Sequence, residues 1–241
     1  MIRILVTEVA KLRGSLALVF LTLVPALPGL LVMMTLFRED RDVAHSGIYT
    51  DFVFPLWVMF LSPMAIATFV ALMAQIEHRS NGWSQLLAMP IPRLSLFAAK
   101  WSVCLFASLT MNALAILYVE AGIGLVASLG GERPSGLLNW SEIAGLVTLL
   151  VSSSLAFVSV LTWTALRWSN FVVPLSIGIA GTLVSLAVAM TRTTYADWFP
   201  WVWPIRVLMN DRVEMFALLG VSVGFVLMMG ALYDLARREF H

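Results

Sequence analysis

Charge is scarce in this sequence, and side chains that carry chemistry are scarcer. Only 12% of its 241 residues are charged, about half the ~25% of a soluble domain. The single cysteine, Cys104, allows neither an internal disulfide nor a cysteine-based metal site. His45, His78 and His241 are scattered and form no His-Glu-x-x-His. The six aspartates, Asp40, Asp42, Asp51, Asp197, Asp211 and Asp234, fall in loops or at the ends of apolar runs, so no intramembrane aspartyl pair is available. Serines within the runs lack a histidine or lysine at the same depth, which speaks against a serine protease. Lysine occurs twice, as Lys11 before Leu12 and Lys100 before Trp101. A phosphate-binding Gly-x-x-x-x-Gly-Lys-Ser/Thr loop therefore cannot be built. The centres of the runs hold no ionisable group, which disfavours a proton- or sodium-coupled carrier. A net charge of +1 gives no bulk attraction to nucleic acid.

What is there is apolar: 60% of the residues are hydrophobic, with a mean hydropathy of +0.91. A chain of this length cannot hide that surface from water, so an all-α polytopic membrane protein is predicted, with residues 1–241 as a single transmembrane domain. Six spans are expected at about 15–37, 52–76, 94–118, 143–166, 171–190 and 213–235. The first run is too long for a signal-peptide core and is followed by no small-x-small cleavage site, so it reads as a retained span.

Residues 1–13 precede it as an amphipathic interfacial helix. Ile2, Leu5, Val6, Val9 and Leu12 make its apolar face, with Arg3, Thr7 and Lys11 opposite. Pro25 and Pro28 should kink span one. Lys100, just inside span three, is expected to snorkel to the headgroups. Glu120 is expected just beyond the far end of that span, and Asn139 to Glu142 has the spacing of a capping box that opens span four. Six spans put both ends on one side. With the termini inside, nine Lys/Arg fall in cytoplasmic segments and six in external ones, a bias of the expected sign.

Three further patterns stand out. Thr148, Ser152, Ser159 and Thr162 share one face of span four, as a helix-packing stripe or as the wall of a substrate path. Trp198, Pro200, Trp201, Trp203 and Pro204 crowd into the loop 191–211, as an aromatic belt or as a re-entrant external gate. Gly220 and Gly224 in span six permit a close helix contact, including a dimer seam.

The polar segment 77–93 lies between spans two and three. Trp83, Leu86 and Leu87 give it one apolar edge at helical spacing, and Pro90 and Pro92 end it. An acidic residue (Glu77), a short polar run with Asn81 and Trp83, the Leu86-Leu87 pair, Pro90, a basic residue (Arg93) and Lys100 follow in order. In that order the segment resembles the cytoplasmic loop of type-2 ABC transporter permeases, most closely the lantibiotic-protection (bacteriocin immunity) branch. Pro92 departs from that pattern, which commonly has a small hydroxyl residue before the basic one.

The resemblance implies a permease subunit that is not itself an enzyme, in a bacterial cytoplasmic membrane with both termini cytoplasmic and lipid around it. Two ATP-binding subunits, which hold the ATP and magnesium, would act on two permeases, identical or paralogous. Glu77, Arg79, Trp83, Leu86, Leu87 and Arg93 would dock on the ATP-binding subunit. The cargo would be an amphiphile such as an antimicrobial peptide, or alternatively a lipid or drug. The family also implies a re-entrant element between spans five and six.

Overall fold

The computed structural model describes residues 2–38, 53–79, 92–129, 139–191 and 193–237, and no strand occurs among them. Nine helices are labelled here. They are α1 (Ile2–Lys11), α2 (Leu16–Leu23), α3 (Ala26–Arg38), α4 (Phe54–Arg79), α5 (Arg93–Ser128), α6 (Trp140–Arg167), α7 (Val172–Thr191), α8 (Trp203–Leu208) and α9 (Val213–Arg237). Six spans among the described residues are long and apolar enough to cross a membrane, with α2 and α3 together making the first. This is the polytopic all-α architecture predicted above.

Local chemistry sets most boundaries. Span one breaks between α2 and α3 at Pro25, which has no N–H to give to the preceding turn. Pro28 is accommodated within the first turn of α3. The predicted capping box opens α6: Asn139 Oδ1 accepts from the N–H groups of Ser141 and Glu142 at 3.1 and 3.0 Å. Asn139 N–H donates back to Glu142 Oε2 at 2.9 Å. After an α-helical turn at Phe54–Leu56, helix α4 passes through a π turn at Trp57–Leu61, ahead of Ser62 and Pro63. Trp57 is buried there, and its Nε1 donates to Asn112 Oδ1 of α5 at 3.0 Å. A π turn shifts helical register locally and often marks a functional site.

The third span is longer than its expected end near residue 118. Helix α5 runs 36 residues to Ser128, about 54 Å at 1.5 Å per residue, against a hydrocarbon core of about 30 Å. Glu120 therefore lies within the helix rather than beyond it. A single glutamate is a good helix former and does not break the run, whereas Gly130-Gly131 follows at its end.

Helix α4 is the most enclosed of the spans and packs against α2, α5, α6 and α7. The most extensive pairing joins α6 to α9. Gly220 and Gly224 lie on the backbone of α6, where a Cβ on Gly220 would strike the Ser152 carbonyl and one on Gly224 the Leu155–Ala156 peptide. The small-residue spacing is thus spent on an internal contact, and not on a seam between copies. Small residues let two backbones approach where lipid supplies no hydrophobic drive.

Candidate functional site

The N-terminal helix turns a charge inward. Glu8 and Leu12 are buried, Leu5 is half-buried, and Ile2, Val6 and Val9 are exposed. The interior face of α1 is thus the Leu5–Glu8–Leu12 stripe, and only part of the predicted apolar face meets the bundle. Glu8 meets Lys100 of α5, which is 0% exposed. Lys100 does not snorkel to the headgroups. Its Nζ lies 2.5 Å from Glu8 Oε2 and 2.6 Å from Glu77 Oε1. Lys11 Nζ closes the cluster at 2.6 Å from Glu8 Oε1 and 3.0 Å from Glu77 Oε1.

Two carboxylates and two ammonium groups balance. Burial works against the Glu8 charge, but the Lys100 ammonium and hydrogen bonds from Lys100 and Lys11 outweigh it and hold the carboxyl below its ordinary 4.5. Burial also works against Lys11, and its bonds to Glu8 and Glu77 hold its ammonium above the ordinary 10.5. A buried charge is tolerated when paired and hydrogen-bonded, and costs several kcal/mol when stranded.

The cluster brackets the polar segment. Glu77 sits in the last turn of α4 and Lys100 two turns into α5, so their bond fastens together the two roots of residues 80–91. Three more bonds fix those roots. Gln75 Nε2 donates to Ser169 O at 2.9 Å, and a His78 ring nitrogen lies 3.1 Å from Ala165 O. Arg93 Nη1 donates to Ala236 O at 3.3 Å.

Of the six residues expected to dock a partner, Arg79 and Arg93 are exposed at the roots. Glu77 is 3% exposed and faces the chain's own lysines. That burial turns Glu77 toward Lys11 and Lys100. Trp83, Leu86 and Leu87 lie outside the described residues. Sequence reasoning missed Glu8 and the pairing of Lys100. The available signal was position: Leu5, Glu8 and Leu12 share a stripe, and a charge in an apolar stripe requires a counter-charge.

The hydroxyl stripe of α6 is divided by depth. Thr148 is exposed and Ser152 half-buried, while Ser159 and Thr162 are buried. Ser159 Oγ accepts from Trp101 Nε1 at 3.0 Å and lies 3.0 Å from Gly224 O, where α5, α6 and α9 meet. Thr162 Oγ1 donates to Val158 O within its own helix.

At the opposite end, residues 193–212 fold back into the bundle. Trp201 is buried, stacked between Phe157 and Phe199 at centroid distances of 5.5 and 5.2 Å. Its indole fills the space over Gly181, half-way along α7, where a Cβ would lie only 2.5 Å from the ring. Trp203 is buried and donates through Nε1 to Asp197 O at 2.8 Å. Pro204 is also buried and Pro200 half-buried, whereas Trp198 is 76% exposed. Within this segment Tyr195 and Trp198 are exposed and fit a simple aromatic belt, whereas Trp201 and Trp203 are interior.

Arg206, unforeseen in the sequence, pins the fold-back. Its Nε and Nη2 donate to Asp197 Oδ1 at 2.9 and 2.7 Å, and Nη2 also reaches Thr193 O. Asn210 and Arg212, at φ 56° and 44°, turn the chain into α9.

No group of acidic, histidine or cysteine side chains fit to hold a metal ion occurs among the described residues. A charged clasp lies at the end where α1 starts and α9 ends, and an aromatic plug at the other. Fold and site together define a polytopic all-helical membrane protein. Residues 4–185 match the family described as ABC-2 family transporter protein, and the chain belongs to that family. It is thus the transmembrane component of an ABC transporter, acting with a separate ATP-binding subunit. The match takes in most of α1, the whole charge cluster and most of α7, and stops short of the fold-back and α9. No curated protein matches the chain, and neither does any solved structure.

Proposed function

We propose that the chain is the membrane subunit of an ATP-driven exporter that expels an amphiphilic substrate, such as an antimicrobial peptide, from a bacterial cytoplasm. In this reading it sits in the cytoplasmic membrane with both termini inside. Two permeases, two copies or a copy and a paralogue, pair with two ATP-binding subunits that carry the ATP and magnesium. The observation that carries the reading is the four-charge clasp. It joins α1, α4 and α5 at the roots of residues 80–91, the segment whose sequence resembles a permease docking loop.

Trp83, Leu86 and Leu87 seat that loop on the ATP-binding subunit, flanked by Arg79 and Arg93. Glu77 takes a different role from the one its sequence position implied: it holds the loop's root instead of meeting the partner. When ATP closes the soluble pair, the loops move together. The clasp passes that displacement to three helices at once rather than letting the loop flex. Coupling requires that the ATP-bound pair favour one arrangement of the permeases. Trp198 and the plug behind it form the external gate, and Thr148 is the member of the hydroxyl stripe left open to a path between permeases.

Replacing Trp83 and Leu86 together by alanine tests this reading. With the ATP-binding subunits co-expressed, the expected result is loss of co-purification or of transport coupled to ATP turnover, with the permease still folded. Full coupling in the double variant would sink the docking claim. Uptake or efflux driven by an ion gradient in the absence of any ATP-binding subunit would favour a carrier.

A further inference from the structure

At the end of the bundle that carries the termini, the start of α5 and the end of α9 leave an open groove of about 410 Å³ between them. Leu94, Ser95 and Ala98 form one wall and Met229, Leu232 and Tyr233 the other. The floor is almost wholly apolar, and Leu94 and Tyr233 are more than half exposed along its edge. Its mouth is basic. Arg93 reaches across to Ala236 O at 3.3 Å, which brings its guanidinium beside the residue before Arg237. Arg237 lies 3.9 Å over the Tyr233 ring, at the groove wall itself. Both arginines are exposed. The nearest acid on α9, Asp234, is engaged on the other side by Trp163 Nε1 at 2.9 Å and Arg167 at 3.3 Å. Arg238 and Glu239 follow outside the described residues.

A peptide would bring backbone donors and acceptors that this apolar floor cannot satisfy. An acyl chain brings none, and two guanidinium groups at the same edge match a phosphate. Basic pockets between membrane helices are suited to anionic lipid headgroups. We propose that this groove is a binding site for one anionic phospholipid, its tail between α5 and α9 and its phosphate between Arg93 and Arg237.

The full chain in phosphatidylcholine vesicles, with a trace of spin-labelled phosphatidylglycerol or spin-labelled phosphatidylcholine, tests this directly. The immobilised lipid fraction is expected to favour phosphatidylglycerol, and the preference to weaken with salt. Replacing both arginines, Arg93→Gln with Arg237→Gln, should cut that preference by about fivefold per arginine. Ala98→Phe fills the groove while keeping both charges, and should release about one immobilised lipid per chain. Three results would overturn the proposal: equal affinity for the two lipids, selectivity unchanged in the arginine pair variant, or selectivity unchanged in Ala98→Phe. Displacement of the lipid label by inorganic phosphate would also overturn it, because a site that needs the tail cannot be emptied by a headgroup fragment.

Discussion

Lys100 is the residue on which the clasp depends, because it is fully buried and bonds both carboxylates. Lys100→Met removes the buried ammonium that Glu8 and Glu77 share. A stranded buried charge of this kind costs about 3–5 kcal/mol, and a lower thermal midpoint in detergent should report it. Adding Glu8→Gln leaves Lys11 and Glu77 as a balanced pair 3.0 Å apart. Part of the loss should return, and two strictly additive losses would argue against a shared network.

The same cluster sets a pH response. The Glu8 pKa is depressed, so its contribution is present above the usual carboxylate value of 4.5 and is lost as pH falls through the lowered one. The Lys11 pKa is raised, so its contribution is present below 10.5 and is lost as pH rises through the raised value. A nitroxide on Ile2→Cys should keep its mobility from about pH 8 to about pH 5 and gain mobility only in stronger acid. Cys104 is buried, which leaves the introduced thiol as the reactive one. Release of α1 on the way down to pH 5 would contradict the depressed Glu8.

Among the elements, α9 shows how a spacing can announce a close helix contact and leave its partner open. Gly220 and Gly224 do mark a close helix contact, but the contact is with α6 of the same chain. Gly220→Val would force a branched side chain into the Ser152 carbonyl, and overpacking costs about 1–3 kcal/mol even where neighbours can yield. The expected outcome is a lower melting temperature of the chain itself. A variant that keeps its stability and loses only self-association would restore the seam between copies. The fold-back was half legible in the same way. Its tryptophans and prolines announce an unusual loop, yet nothing in their spacing tells Trp198, in the open, from Trp201, over Gly181. Arg206 was invisible because its partners Asp197 and Thr193 are matched by the shape of the turn and by no helical period. Helix ends were legible where a capping residue or proline sets them, as at Asn139 and Pro25, and poorly so along α5, which runs on through Gly122 and Gly124 to Ser128.

For the whole molecule, six spans put the start of α1 and the end of α9 on one side, with the clasp, and the plug on the other. Tags at both termini should be cleaved from the same face of sealed vesicles, and from the cytoplasmic one if the arginine and lysine bias orients the chain. Cleavage from opposite faces would remove a span from the count. Composition alone determined that this chain lives in a membrane, because so few charges cannot solvate so much apolar surface. The two lysines likewise determined that no P-loop can be built from this sequence. The order of residues from Glu77 to Lys100 pointed to the family to which the chain belongs. What only the tertiary structure decided is where the rare charges go. Glu8, Glu77 and Lys100 stand 69, 23 and 92 positions apart in their three pairings, and a helical period reaches no further than its own helix. Each could have met water, headgroups or a partner. Packing of α1 against α5, with α4 beside it, brought the three together, since in an apolar interior a charge is stable only against another.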